Sequence, residues 1–146
     1  MTPTPRTSWP WLHVGGRLED LGPRECRSLL SGTHVGRLAY VTDSGPRVVP
    51  MNYVIAGDAL VFRTSLHNEA AQFTRGRQVA FEVDQTDEFL QTGWSVLVPG
   101  VAEEVTVSML GSLDVGRTPD PWPDGMRSLF LYVPLTAVTG RRVHAA

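Results

Sequence analysis

The residues best placed to do chemistry together run Phe62-Arg63-Thr64-Ser65-Leu66-His67-Asn68, a cation and two hydroxyls closing an apolar stretch just before a helix. A phosphate monoester needs fixed hydrogen-bond donors and positive charge in one place. Hydroxyls, an arginine and the backbone N–H groups of a helix start supply both. The same residues equally suit an ordinary strand end whose Thr and Ser cap the next helix.

Other chemistry is sparse. His13, His34, His67 and His144 are scattered without metal-ligand spacing, and Cys26 stands alone, so structural roles are expected for them. Only His67 adjoins the phosphate-type segment. All thirteen basic residues are arginine, which excludes a Schiff-base or P-loop lysine. There is no nucleophile elbow, Walker loop, dinucleotide-binding glycine pattern or His-Glu-x-x-His helix. Thirteen basic against fifteen acidic residues leave a net charge of −2, too little cationic field for nucleic acid. The longest apolar runs are a handful of residues, and Met1 to Pro10 has no hydrophobic stretch, so neither a membrane span nor a signal peptide is expected. With one cysteine, the expected compartment is a reducing cytoplasm.

The elements that must position these residues read as follows. With 146 residues, 42% of them apolar, one domain is expected. Residues 1–18, with Trp9 and Trp11 flanking Pro10, read as an N-terminal arm and 19–146 as the domain. Leu21 to Leu30 reads as a helix, with Gly22 at the cap, Pro23 at its first position and Gly32 beyond its end. Strands are expected at Val35–Thr42, Arg47–Ile55 and Ala59–Thr64, joined by turns at Asp43-Ser44-Gly45-Pro46 and Gly57-Asp58. Pro50 interrupts the middle strand and requires a bulge or an unpaired edge. A short helix over Asn68–Thr74 precedes strands at Gln78–Val83 and Gly93–Val105, the latter bent near Pro99-Gly100. Val107, Leu110 and Leu113 suggest another helix, Arg117 to Gly125 a loop, and Ser128 to Val133 the last strand. The order β-β-β-α-β-β-α-β lacks the βαβ alternation of doubly wound folds and predicts a mainly β fold with short helices, a six-stranded antiparallel barrel.

Several strings, read together, resemble one family. Gly36-Arg37-Leu38-Ala39, Gly45-Pro46-x-Val48-Val49-Pro50-x-Asn52-Tyr53, Leu60-Val61-Phe62-Arg63-Thr64, Val79-Ala80-Phe81-Glu82-Val83-Asp84, Gly93-Trp94-Ser95-Val96-x-Val98-x-Gly100-x-Ala102 and Val138-Thr139-Gly140-Arg141-Arg142 follow in the order seen in FMN-binding split barrels related to pyridoxamine 5'-phosphate oxidase. The similarity covers about Leu21 to Val143 and is closest to the small actinobacterial-type, nitroimidazole-reductase-like branch.

That resemblance implies a homodimeric split β-barrel with FMN at the subunit interface. The isoalloxazine ring would lie along Val49, Pro50, Met51 and Asn52, with a proline bulge leaving backbone groups to face it. The flavin phosphate would sit at Arg63, Thr64 and Ser65 beside Asn68. A second subunit would contribute Trp94, Ser95 and Val96, where Trp94 either stacks on the ring or is a core or interface residue. The implied activity is a reductase drawing electrons from a nicotinamide or other donor and passing them to a small molecule. A ligand-binding or structural homodimer without flavin, or a member using F420 or haem, are the alternatives. One departure stands out: Glu69 occupies the region where similar proteins carry a cation for the phosphate, so Arg47, Arg75, Arg77 or Arg141 must compensate if FMN binds.

Overall fold

The computed structural model describes residues 16–112 and 128–145. Pro10, Trp9 and Trp11 of the arm, the loop at 117–125 and Leu113 lie outside the described residues. Eight strands form one antiparallel sheet: β1 (Arg17–Leu21), β2 (Val35–Thr42), β3 (Gly45–Ala56), β4 (Ala59–Ser65), β5 (Arg77–Asp87), β6 (Thr92–Glu104), β7 (Ser128–Pro134) and β8 (Thr139–His144). The order is β1-β8-β6-β5-β2-β3-β4-β7, and a further β6–β7 pairing closes six of them, β2 to β7, into a barrel. Strand β6 serves two partners: Gly93–Leu97 pairs with β8, whereas Glu103 and Glu104 pair with β7. Closure removes most free edges, and β8 with β1 extends the sheet from the first half of β6.

β1 and β8 were not expected as strands, and their composition explains why. Arg-Leu-Glu-Asp-Leu and Thr-Gly-Arg-Arg-Val-His lack the alternation of β-branched and polar residues that marks a half-buried strand. They are held by the ladder Leu21↔Gly140 to Arg17↔His144 and by side-chain pairs: Arg142 with Glu25, Arg141 with Asp20 at 3.8 Å and His144 with Glu19 at 2.5 Å. Gly140 suits this place because a Cβ there would lie 2.6 Å from Cys26 Sγ. Leu21 consequently ends β1, and the first helix, α1, spans Pro23–Ser31 with Gly22 as N-cap, Pro at its start and Gly32 as C-cap.

The barrel interior holds Leu38, Tyr53, Leu60, Phe62, Phe81, Val83, Val96, Val98, Leu131 and Val133. Tyr53 meets Phe81 edge-on at 5.3 Å, and its hydroxyl donates to Leu30 O at 2.6 Å, which ties α1 to the core. Two more short helices follow, α2 (Glu69–Thr74) and α3 (Val107–Ser112). Among the described residues no helix is long and apolar enough to cross a membrane.

Candidate functional site: the split between β3 and β4

Pro50 dictates the local geometry. The register of β2 with β3 runs without interruption from Val35↔Asn52 to Thr42↔Gly45, so Pro50 pairs with Arg37 and sits in no bulge. Tyr53 N–H donates to His34 O at 2.9 Å. By the two-residue alternation of antiparallel ladders, the Pro50 nitrogen faces the opposite edge, toward β4. There the β3–β4 ladder runs only from Tyr53↔Phe62 to Ala56↔Ala59. A proline is tolerated where no N–H is asked of it. Of the bulge and the unpaired edge that Pro50 allowed, the structure has the edge, in place of the bulge the resemblance implied, and the barrel is split between Pro50–Asn52 on one lip and Arg63–Ser65 on the other. Beyond Phe62, β4 stays paired on its far side with β7 through Ser65↔Ser128.

Strand alternation sorts the expected site residues by face. Val49 and Met51 pack against the core, and Thr64 is buried. Pro50, Asn52, Arg63 and Ser65 lie on the outward face. Arg63 places its guanidinium carbon 5.4 Å from the Phe130 ring centroid, its register partner on β7. Thr64 is occupied: its hydroxyl accepts from Asn68 Nδ2 at 2.7 Å, while Asn68 Oδ1 accepts from Ala71 N–H at 2.8 Å and caps α2. Capping thus accounts for Thr64 and Asn68, and the outward donors are Arg63 and Ser65.

Glu69 has an internal explanation. Tyr40 donates its hydroxyl hydrogen bond to Glu69 Oε1 at 2.9 Å, and Arg47 Nε lies 3.4 Å from the same oxygen. Tyr40 and Arg47 are register partners on β2 and β3. Burial, and next the carboxylate beside it, push the Tyr40 hydroxyl above its ordinary pKa. Arg47 is therefore the compensating arginine. Arg75 pairs with Glu104 at 3.7 Å, Arg141 with Asp20, and Arg77 lies 5.6 Å from the Phe73 ring centroid. The β2–β3 hairpin sets Tyr40 opposite Arg47 in register, but that Glu69 reaches both depends on how α2 packs, for which the sequence carries no local signal. Next to the split, the turn at Leu66–Asn68 and the residues Arg75 and Arg77 enclose a recess of about 400 Å³.

The residues expected from a second subunit lie elsewhere. Val96 belongs wholly to the core, Ser95 faces outward, and Trp94 is half-buried against the core. Trp94 also walls a cavity of about 790 Å³ that includes Leu18, Asp87, Glu88 and Val143. β6 is three strand steps from β3, through β5 and β2, or about 14 Å at the usual spacing. One chain therefore does not bring Trp94 and Ser95 to the split. The outward face between them carries Val35, Val41, Val48, Leu97 and Val101, all exposed, with Val48 at 64%. It also carries Arg37, which bridges Glu82 at 3.0 Å and Asp84 at 3.2 Å. Burial, then the neighbouring Asp84, push the Glu82 carboxyl above its ordinary range, against the pull of Arg37.

Comparison with known proteins adds to this geometry. Residues 22–142 match the family model described as pyridoxamine 5'-phosphate oxidase. An uncharacterized protein of Mycobacterium tuberculosis is 32% identical over 92 residues, covering 60% of this chain and 60% of that protein. The matched region thus spans about 60% of that relative's length. A solved FAD binding protein from Mycobacterium smegmatis is 30% identical with a TM-score of 0.73, covering 85% of this chain and 98% of its own. A FAD-binding protein from Mesorhizobium loti is 25% identical with a TM-score of 0.69, covering 88% of this chain and 98% of its own.

Proposed function

The chain belongs to the pyridoxamine 5'-phosphate oxidase family, and on that premise we propose that it is a homodimeric flavoprotein of the reducing cytoplasm, a reductase acting on a small molecule. The split between β3 and β4 carries this reading. Its outward lips present Arg63 and Ser65, a donor set suited to the phosphate of the FMN unit, and the one carboxylate of α2 is neutralised by Arg47 and Tyr40. The relatives named for binding FAD support the flavin class.

When bound, the flavin supplies the redox chemistry, taking an electron pair from a donor such as a reduced nicotinamide and passing it to an oxidised small molecule. The chain's own tasks are binding and positioning. Arg63, half-buried over Phe130, would hold the phosphate through its guanidinium. Pro50 and Asn52 form the outward lip along which a planar ring would lie. The exposed apolar face of β2, β3 and β6 supports a two-fold interface, because an isologous contact would cover it and bring the partner's Trp94 and Ser95 to the split. The visible absorption spectrum of the purified protein, before and after FMN is added and excess removed, tests the proposal. Flavin bands that persist sustain it, and a protein with none at millimolar FMN refutes it.

A further inference from the structure

We infer that the recess between the Leu66–Asn68 turn and Arg75–Arg77 is a second anion site, and that it takes the second phosphate of a flavin dinucleotide. This rests on the flavin reading above and adds a ligand class to it: a cofactor with two linked phosphates rather than one.

The donor chemistry of the recess is one-sided. Arg75, Arg77, His67 and Gln72 line it together with the capping Asn68, and no Asp or Glu is among the lining residues. Arg77 rests on the Phe73 ring and forms no ion pair among the described residues. A guanidinium held over an aromatic ring, with no carboxylate partner, keeps N–H donors for phosphate oxygens. Arg75 does have a carboxylate neighbour, Glu104, but at 3.7 Å with both side chains about half exposed. Such a surface pair contributes little and yields readily to a phosphate. Glu69, the acidic residue nearest in sequence, is turned to Arg47 and Tyr40 instead.

Position and size fit the same ligand. The recess begins with Leu66, the residue after Ser65, so its donors continue directly from those assigned to the first phosphate. Linked phosphates share a bridging oxygen and need adjoining sites of this kind. At about 400 Å³ the recess exceeds by far the roughly 30 Å³ that one water occupies in the liquid. It has room for a phosphate and the start of the sugar beyond it. The phosphate of FMN itself, or those of a nicotinamide donor, would meet the same donors, and the experiment separates these sources.

The full-length protein is titrated with FAD, FMN and riboflavin by flavin fluorescence, alongside Arg77→Gln, Arg77→Lys and the Arg75→Gln/Arg77→Gln pair. Wild type should bind FAD at least tenfold more tightly than FMN. Arg77→Gln and the double variant should erase most of that preference while changing FMN affinity less than twofold, with Arg77→Lys in between. AMP, which carries only the second phosphate, should compete with FAD and leave FMN binding unchanged. Thermal melting of each variant checks that the fold persists. Equal losses for FMN and FAD would assign the recess to the single phosphate of FMN and overturn the inference. So would wild type that binds the two alike, or variants that alter only the binding of a reduced nicotinamide dinucleotide. A wild type that binds no flavin would remove the proposed function along with the inference, a result distinct from all of these.

Discussion

Replacing Glu69 tests whether the carboxylate on α2 is an uncompensated obstacle or part of the scaffold. Arg47 Nε stands 3.4 Å from it, with side chains 40% and 49% exposed, so the pair sits near the water limit of Coulomb's law and contributes about 1 kcal/mol. The Tyr40 hydroxyl, on a residue only 4% exposed, donates to the same oxygen at 2.9 Å, and a hydrogen bond to a charged acceptor adds roughly 1.5–3 kcal/mol. Glu69→Ala should therefore destabilise the flavin-free protein by about 2.5–4 kcal/mol, and Glu69→Gln, which keeps an acceptor, by about 1 kcal/mol. Glu69→Lys sets like charges together and should be the least stable of the three. Urea unfolding reads these values. A double-mutant cycle of Tyr40→Phe with Glu69→Gln should show coupling of about 1 kcal/mol. The reasoning fails if Glu69→Ala unfolds within about 0.5 kcal/mol of wild type, the range of an ordinary surface change, or if Glu69→Lys is the more stable protein.

Arg63→Ala should weaken FMN binding at least tenfold and riboflavin binding less, because a charge-assisted phosphate contact contributes about 1.5–3 kcal/mol; equal losses would place Arg63 on the ring or the fold. Light scattering should give a particle of twice 16.0 kDa, and Val48→Asp should produce monomers with an unchanged melting transition at low concentration, since Val48 is exposed in the single chain. A dimer indifferent to that substitution would move the interface to another face. Burial raises the pKa of Cys26, Tyr40 and Tyr53 from ordinary values of 9.0, 10.0 and 10.0. The native state then holds these protons more tightly than the unfolded state, so stability is complete below about pH 9 and falls as pH rises. Cys26→Ser should delay the onset toward pH 10, which chemical denaturation across pH 8–11 would show; stability that is flat or rising over that range contradicts it.

What was legible in the sequence followed from local signals. The β2–β3 and β3–β4 turns, the Gly22-Pro23 helix start and the Asn68 cap are each written in a few adjacent residues, and the strands they bound fell close to their observed limits. What escaped depends on neighbours far along the chain. β1 and β8 are strands because they pair with each other across more than a hundred positions, and because β8 also pairs with the first half of β6. Pro50 offered a bulge or an edge, and only the early end of the β3–β4 ladder decides for the edge.

The phosphate-type segment shows the same limit at the level of the site. Arg63, Thr64 and Ser65 are consecutive, and on a strand consecutive residues cannot share a face. Phe62 and Thr64 point inward, so the segment divides its labour: Thr64 joins Asn68 in starting α2, while Arg63 and Ser65 face outward. The two readings that the sequence left equal, a helix cap and a phosphate contact, thus fall to alternate residues of one strand. Glu69 extends the same logic across the barrel. Its position alone suggested repulsion, but β2 and β3 deliver Tyr40 and Arg47 to it as a register pair, and the charge that seemed to oppose a phosphate instead fastens α2 to the two strands beneath.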